Sequence, residues 1–355
     1  MGEHGAAGIW PGILAGLTVP GGGRAAAMAD AEAAARFAAR TSPALARRCF
    51  GPLAGTPFAA EAAHGSSLLN RFRRISGLRW AIAVGAAGIE VICLKGLGTA
   101  FALYDDPDLR AMADADLLVR RSDLQRLVAV LQKSGFRFAA EPGRSPWGFI
   151  SDASFQPMLS ADGAVNLDLH VHPDAWPLHC GLPTEAVFAA ARSVATPEGS
   201  IRVPAPHHML LLTASHAARD LFLASTVPAM IDAILLLRRD AQRIDWPAFT
   251  AIARAGRSLR PVQSFLALLA ALGADAGAVP PALCRVPGGF GAGEFRRLVQ
   301  AARVLYPDEA AGWLARLRRE LLVAAEPGVA LKRDLRRLIG LLHPGRGLPE
   351  ELARR

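Results

Sequence analysis

The 355-residue chain predicts an α+β fold, in which a small mixed β-sheet core with flanking helices is followed by a helical C-terminal domain. Three observations carry this. Short apolar or alternating runs between residues 89 and 171 read as strands. A turn signal at Ala161-Asp162-Gly163 joins two of them as a hairpin. From Thr184 onward the pattern reads almost entirely as helix. The expected division is a disordered extension over 1–28, the core with its N-terminal helices over 29–180 (the α/β part itself from about residue 60), and the helical domain over 181–355.

The elements follow in order. The Gly/Ala-rich stretch up to Met28 carries no strong packing pattern. Residues 29–88 are Ala-rich and helical, with breaks at Pro43, Pro52, Pro57 and Gly65. Ile89–Leu94 is short, apolar and β-branched, as a buried strand should be. Lys95-Gly96 ends it and Leu97–Tyr104 turns helical. Asp114–Val119 is a second strand, after which Ser122 and Asp123 offer a cap to an amphipathic helix running to Gly135. Phe136–Ala140 suggests a third strand. Ser154–Ser160 and Ala164–Val171 form the hairpin. In its second arm Val165, Leu167, Leu169 and Val171 point one way, and Asn166, Asp168, His170 and His172 the other. Helices are expected near 206–222, 227–239, 247–256, 261–272, 295–305, 309–324 and 329–342, the last with a packing stripe of Leu331, Leu335, Leu338, Ile339 and Leu342.

Composition narrows the class. Hydrophobic residues at 52% and charged residues at 20% suit a globular protein with some helices buried all round. Lys occurs only at 95, 133 and 332, so Arg dominates the base count as a habit of the whole chain, and the high pI is weak evidence for nucleic-acid binding. Residues 285–355 hold 14 basic and 8 acidic side chains, consistent with a solvated face or an anionic partner. Cys49, Cys93, Cys180 and Cys284 are widely spaced with no Cys-x-x-Cys, which argues against a disulfide framework or zinc knuckle and for a reducing, cytoplasmic setting. No run reaches the length of a membrane span. Ile9–Val19, preceded by Glu3 and interrupted by Pro11, lacks the form of a signal peptide.

The chemistry concentrates in three acids. Asp114 and Asp116 stand at i and i+2 where a strand begins, so both project from one side, ~6.5–7 Å apart along it. Such a pair repels unless a cation lies between, and hard carboxylate oxygens suit Mg²⁺ or Mn²⁺. Asp168, on the polar face of a strand able to lie beside the first, supplies a third ligand. Together they can hold metal ions that activate an attacking hydroxyl. Lys95-Gly96 at the strand-to-helix turn offers a point charge and close backbone approach to a phosphate. Arg110 can clamp a phosphate or neutralise Asp105, Asp106 or Asp108.

Leu94-Lys95-Gly96, Tyr104-Asp105-Asp106-Pro107-Asp108-Leu109-Arg110, Asp114-Ala115-Asp116-Leu117-Leu118-Val119, Gly135-Phe136 and Asp168-Leu169-His170 together resemble an uncharacterised bacterial nucleotidyltransferase family of the DNA-polymerase-beta-like superfamily. His216, Ile231–Leu236 and Asp245-Trp246 resemble its helical half, and the similarity covers about residues 70–275. Ala115 stands where a bulkier aliphatic is usual, and Lys95-Gly96 where the wider superfamily has Gly-Ser. The resemblance implies a nucleotidyltransferase core that moves a nucleoside monophosphate from an NTP to an acceptor by a two-metal mechanism with Mg²⁺ (or Mn²⁺). The acceptor is left open among a small molecule, a protein and an RNA end. Asp114, Asp116 and Asp168 are the expected catalytic and metal-binding residues, and Lys95, Gly96, Arg110 and His170 the expected nucleotide-binding ones.

Two other readings stand beside this. His170 and His172, at i and i+2, resemble the His-x-His of metal-dependent amidohydrolases and related phosphoesterases, although too few residues follow to build their barrel. The same fold can also serve as a non-catalytic nucleotide-binding module. Trp176 suits either base stacking or a buried anchor. His216 is expected to be hydrogen-bonded on a buried face, with Asp232 as the candidate partner.

Overall fold

The computed structural model describes residues 8–51, 61–139, 153–286 and 290–306, together with 319, 320, 328, 329 and 331. Four short helices open it: α1 (Trp10–Thr18), α2 (Arg24–Ala29), α3 (Ala31–Arg40) and α4 (Pro43–Phe50). Asp30 and Ser42 cap α3 and α4, accepting from the N–H groups of Ala33 and Leu45. The expected disorder over 1–28 is therefore corrected for 8–28. Glycines that read as flexibility are here sites of close packing: a Cβ at Gly16 would collide with the backbone of Cys49, so only Gly lets α1 lie against α4. Trp10 is buried and its indole donates to the Ala302 carbonyl at 2.7 Å. Arg36 donates to the carbonyl of Val304 at 3.1 Å, and Arg40 to those of Leu305 and Tyr306 at 3.0 and 2.9 Å.

The long α5 (Glu61–Ala86) leads into β1 (Val91–Cys93), α6 (Lys95–Leu103), β2 (Ala115–Val119), α7 (Leu124–Lys133), β3 (Arg137–Phe138), β4 (Met158–Leu159) and β5 (Asn166–His170). The five strands form one mixed sheet in the order β1-β2-β5-β4-β3. β2 runs parallel to β5 and every other pair is antiparallel. All five strands of the 89–171 reading are present, including the hairpin, whose turn ends on Gly163 at φ 69°. Asp123 occupies the cap position of α7 but makes no capping hydrogen bond; its carboxylate lies 3.6 Å from Arg126 instead.

β2 is buried along its whole length. Leu117, Leu118 and Val119 pack into the core, while Ala115 meets α5 at Gly77, where an added Cβ would lie 3.0 Å from the Ala115 methyl. A small side chain at 115 and none at 77 bring the helix close to the strand that carries the acids.

Beyond the sheet come α8 (Thr184–Ala190), β6 (Arg192–Thr196), β7 (Gly199–Val203), α9 (Pro206–Arg219), α10 (Val227–Asp240), α11 (Trp246–Ala255), α12 (Leu259–Ala271) and α13 (Phe290–Arg303). The β6–β7 hairpin corrects the reading of this half as almost wholly helical. Its signal is Pro197-Glu198-Gly199 flanked by residues of alternating exposure, with Ile201 and Val203 buried. Five-residue strands between Ala-rich helices leave a period too short to compete. α9 and α10 pack directly on α6, so the helical half also walls the core. No helix among the described residues is long and apolar enough to cross a membrane. The leucine stripe of 331–342 lies outside the described residues except for Leu331, which is exposed.

If α1 is docked on α4 through Gly16, then Gly16→Leu should destabilise the protein by about 1–3 kcal/mol in urea unfolding through overpacking. An unchanged midpoint would mean that α1 is not part of the folded body.

Candidate active site

In the parallel ladder of β2 and β5, Asp116 is the direct partner of Asp168, so the two carboxylates leave the same face of the sheet side by side. His170, two residues beyond Asp168, shares that face. Its Nε2 lies 2.9 Å from Asp116 Oδ1 and 3.2 Å from Asp168 Oδ2. Lys95, at the first position of α6 with φ 38°, places Nζ 2.5 Å from the same Asp116 Oδ1. One atom each of Asp116, Asp168 and His170 lie within 4.8 Å of one another, a set that could hold a metal ion.

The electrostatics follow from burial. Asp116 is 2% exposed, which by itself pushes its carboxyl up. Lys95 and His170 outweigh that, and the net result lies well below the usual carboxylate range. Asp114, just ahead of β2, has no such partner. Burial first and then the charge of Asp116 raise it to about 6. Burial lowers both Lys95 and His170, but the Asp116 carboxylate, joined by Asp168, carries each above its ordinary value. Both shifts favour the protonated forms of Lys95 and His170 beside the acids.

The donor set suits a hard divalent cation: carboxylate oxygens with one imidazole. A buried atom of the cluster, Asp168 Oδ1, lacks a hydrogen-bond partner, as expected where a further ligand is to be received. Of the seven residues singled out from sequence, Lys95, Asp114, Asp116, Asp168 and His170 come together. Gly96 packs tightly, since a Cβ there would stand 3.2 Å from that of Met112. Arg110 does not reach Asp105, Asp106 or Asp108. Its Nε and Nη2 bind the buried Asp232 of α10 at 2.9–3.1 Å.

His216 is not paired with Asp232. Its Nδ1 lies 3.0 Å from Arg219 Nη2, and burial followed by the Arg219 charge lowers it to about 4. Arg219 in turn binds the buried Asp174 at 2.8 Å. Sequence reasoning passed over Arg219 and Asp174, which carry no local motif. His172, beyond the end of β5, stacks on His179 with ring centroids 4.6 Å apart, and the ligand atoms that gather with His170 are those of Asp116 and Asp168 and not of His172. Trp176 is half-buried.

The mixed sheet sets two acids abreast on adjacent parallel strands, with a third just before them, as the sequence resemblance led one to expect. Residues 64–274 match the model of the family described as uncharacterised nucleotidyltransferase, and the chain belongs to that family. Among solved structures, an antigenic nucleotidyltransferase-like protein from Paracoccidioides brasiliensis is similar at 14% identity and a TM-score of 0.34, over 59% of this chain and 96% of that one. The comparison with curated proteins returned no match.

A folded-state carboxyl near 6 favours folding fully below the unfolded value of about 4, and that contribution is lost as pH rises through 6. In EDTA, the stability advantage of the wild type over Asp114→Asn should therefore shrink between pH 4 and pH 7. Parallel pH profiles from urea unfolding would remove Asp114 from the acid cluster.

Proposed function

We propose that the protein transfers a nucleoside monophosphate from an NTP to an acceptor hydroxyl, in a reaction dependent on Mg²⁺ or Mn²⁺. The observation that carries this reading is the β2–β5 register, which pairs Asp116 with Asp168. Family membership supports nucleotidyl transfer as the reaction class.

Asp116 and Asp168 would hold the metal, with His170 as neighbouring ligand and Asp114 completing the negative rim. When bound, the metal supplies Lewis-acid activation and charge neutralisation on the phosphates. Asp168 Oδ1, buried and without a partner, accepts the proton of the acceptor hydroxyl. The acceptor oxygen then bonds to the α-phosphorus and pyrophosphate departs. Lys95 shares Asp116 Oδ1 with His170; with a metal held by Asp116, its ammonium would be available to the triphosphate beside Gly96. Arg110, its fork spent on Asp232, is assigned to the loop and not to a phosphate. The helical half, whose α9 and α10 lie against α6, would bound the acceptor side.

Incubation with labelled NTPs and cell extract should label an acceptor in the presence of Mg²⁺, and Asp116→Asn or Asp168→Asn should cut that labelling by at least about 10²-fold while leaving the fold intact. Wild-type Mg·NTP binding by an Asp114→Asn, Asp116→Asn double variant would sink the reading. Binding without transfer to any acceptor would leave a nucleotide-binding module.

Lys95→Met separates two roles. Without a competing ammonium on Asp116, Mg²⁺ alone should bind more tightly, whereas Mg·NTP should bind more weakly, by roughly tenfold for one lost charge contact. Calorimetric titration with each ligand reads both.

A further inference from the structure

The segment from α6 to β2 delivers Asp114 to the acid cluster, yet its regular structure is a single 3-10 turn, Pro107–Leu109. Side chains from other elements must hold it. On one flank Asn70 of α5 donates to the carbonyls of Arg110 and Asp108 at 3.2 and 3.4 Å and accepts from the Met112 N–H at 2.9 Å. Ser42 adds a bond to the Leu109 carbonyl at 2.8 Å, and Arg74 pairs with Asp108.

The other flank rests on one residue, Asp232 of α10, which is 3% exposed. Its two oxygens accept from Arg110 at 2.9–3.1 Å, from the Tyr104 hydroxyl at 2.8 Å and from the Thr99 hydroxyl at 3.2 Å. These three donors are not scattered. Thr99 stands one turn after Lys95 in α6, Tyr104 closes that helix, and Arg110 precedes Asp114 by four residues. Arg110 also donates to the carbonyl of Ala111, which anchors the backbone itself. A cavity of about 40 Å³, room for two or three waters, has Lys95, Thr99, Arg110 and Asp232 in its wall, so the network and the ammonium on Asp116 face a common space.

We propose that Asp232 is a positioning residue for the metal centre. From the helical half of the chain it fixes the two groups that flank Asp116: Lys95, through Thr99 and Tyr104, and Asp114, through Arg110. This inference rests on the reading of Asp116, Asp168 and His170 as metal ligands. It makes the site a product of both halves of the chain.

The test is Mn²⁺ affinity of the full-length protein, read by electron paramagnetic resonance without nucleotide, alongside KM and kcat. Asp240, at the other end of α10, is the control. It is equally buried and bound by Arg192 and Arg243 at 2.9 and 3.3 Å, but holds no part of the 104–114 segment. Asp232→Asn should weaken Mn²⁺ binding about 10–100-fold, as losses of groups that orient metal ligands do. Asp240→Asn should lose comparable stability and keep Mn²⁺ affinity. Tyr104→Phe removes one hydrogen bond and no charge, and should weaken Mn²⁺ binding about 3–10-fold with kcat lowered more than KM is raised. If Asp232→Asn does not fold, Tyr104→Phe decides alone. Wild-type Mn²⁺ affinity in Asp232→Asn and Tyr104→Phe, or an equal loss in Asp240→Asn, overturns the proposal. Wild-type affinity in Asp116→Asn overturns it together with the metal centre on which it rests.

Discussion

Adjacent parallel strands hold their side chains about 4.8 Å apart, and in β2 and β5 that spacing falls on Asp116 and Asp168. Two carboxylates so close, one of them nearly inaccessible to water, repel strongly enough that their surroundings must answer. His170 bridges them, Lys95 binds the more buried one, and Asp114 retains its proton to a higher pH than an ordinary aspartate. The apolar face of the same strands, Leu117 with Leu167 and Leu169, locks the register that creates the conflict. A one-residue slip would turn the acids into the core and the leucines out.

Everything else near the site serves to keep these groups where the register puts them. α5 comes close to β2 because Gly77 and Ala115 are small. The irregular 104–114 segment is gripped from α5 by Asn70 and from α10 by Asp232. The helical half is therefore tied to the loop before the acid-bearing face through a buried charge pair, where deletion of either partner leaves the other uncompensated.

What could be read from the sequence divides along the range of the interactions. Strands β1, β2 and β5 were legible because short apolar runs and period-two alternation are local, and Asp-x-Asp at a strand start already sets two acids on one side of it. The loop-to-strand hairpin at Gly163 was legible from its turn residues. The partner of Arg110 was not, since Asp232 lies 122 residues away and several nearer acids compete for it. His170 was placed on the correct face, but its bridge between the two acids depends on the pairing of strands far apart in the chain. The β6–β7 hairpin and α1–α2 failed for a different reason: short elements carry little periodicity, and glycine signals both looseness and tight contact.

The segments on either side of the matched region meet each other. The indole of Trp10 and the guanidinium groups of Arg36 and Arg40 terminate on carbonyls at residues 302–306, in the last turn of α13 and just after it. During synthesis the first helices would leave the ribosome on the order of tens of seconds before those carbonyls exist. Until then these side chains lack their native acceptors, so this layer cannot close before the residues of the sheet and its acids have been made. A protein trimmed to the matched residues would lose both sides of that layer at once, and with them the Ser42 support beneath the loop that carries Asp114.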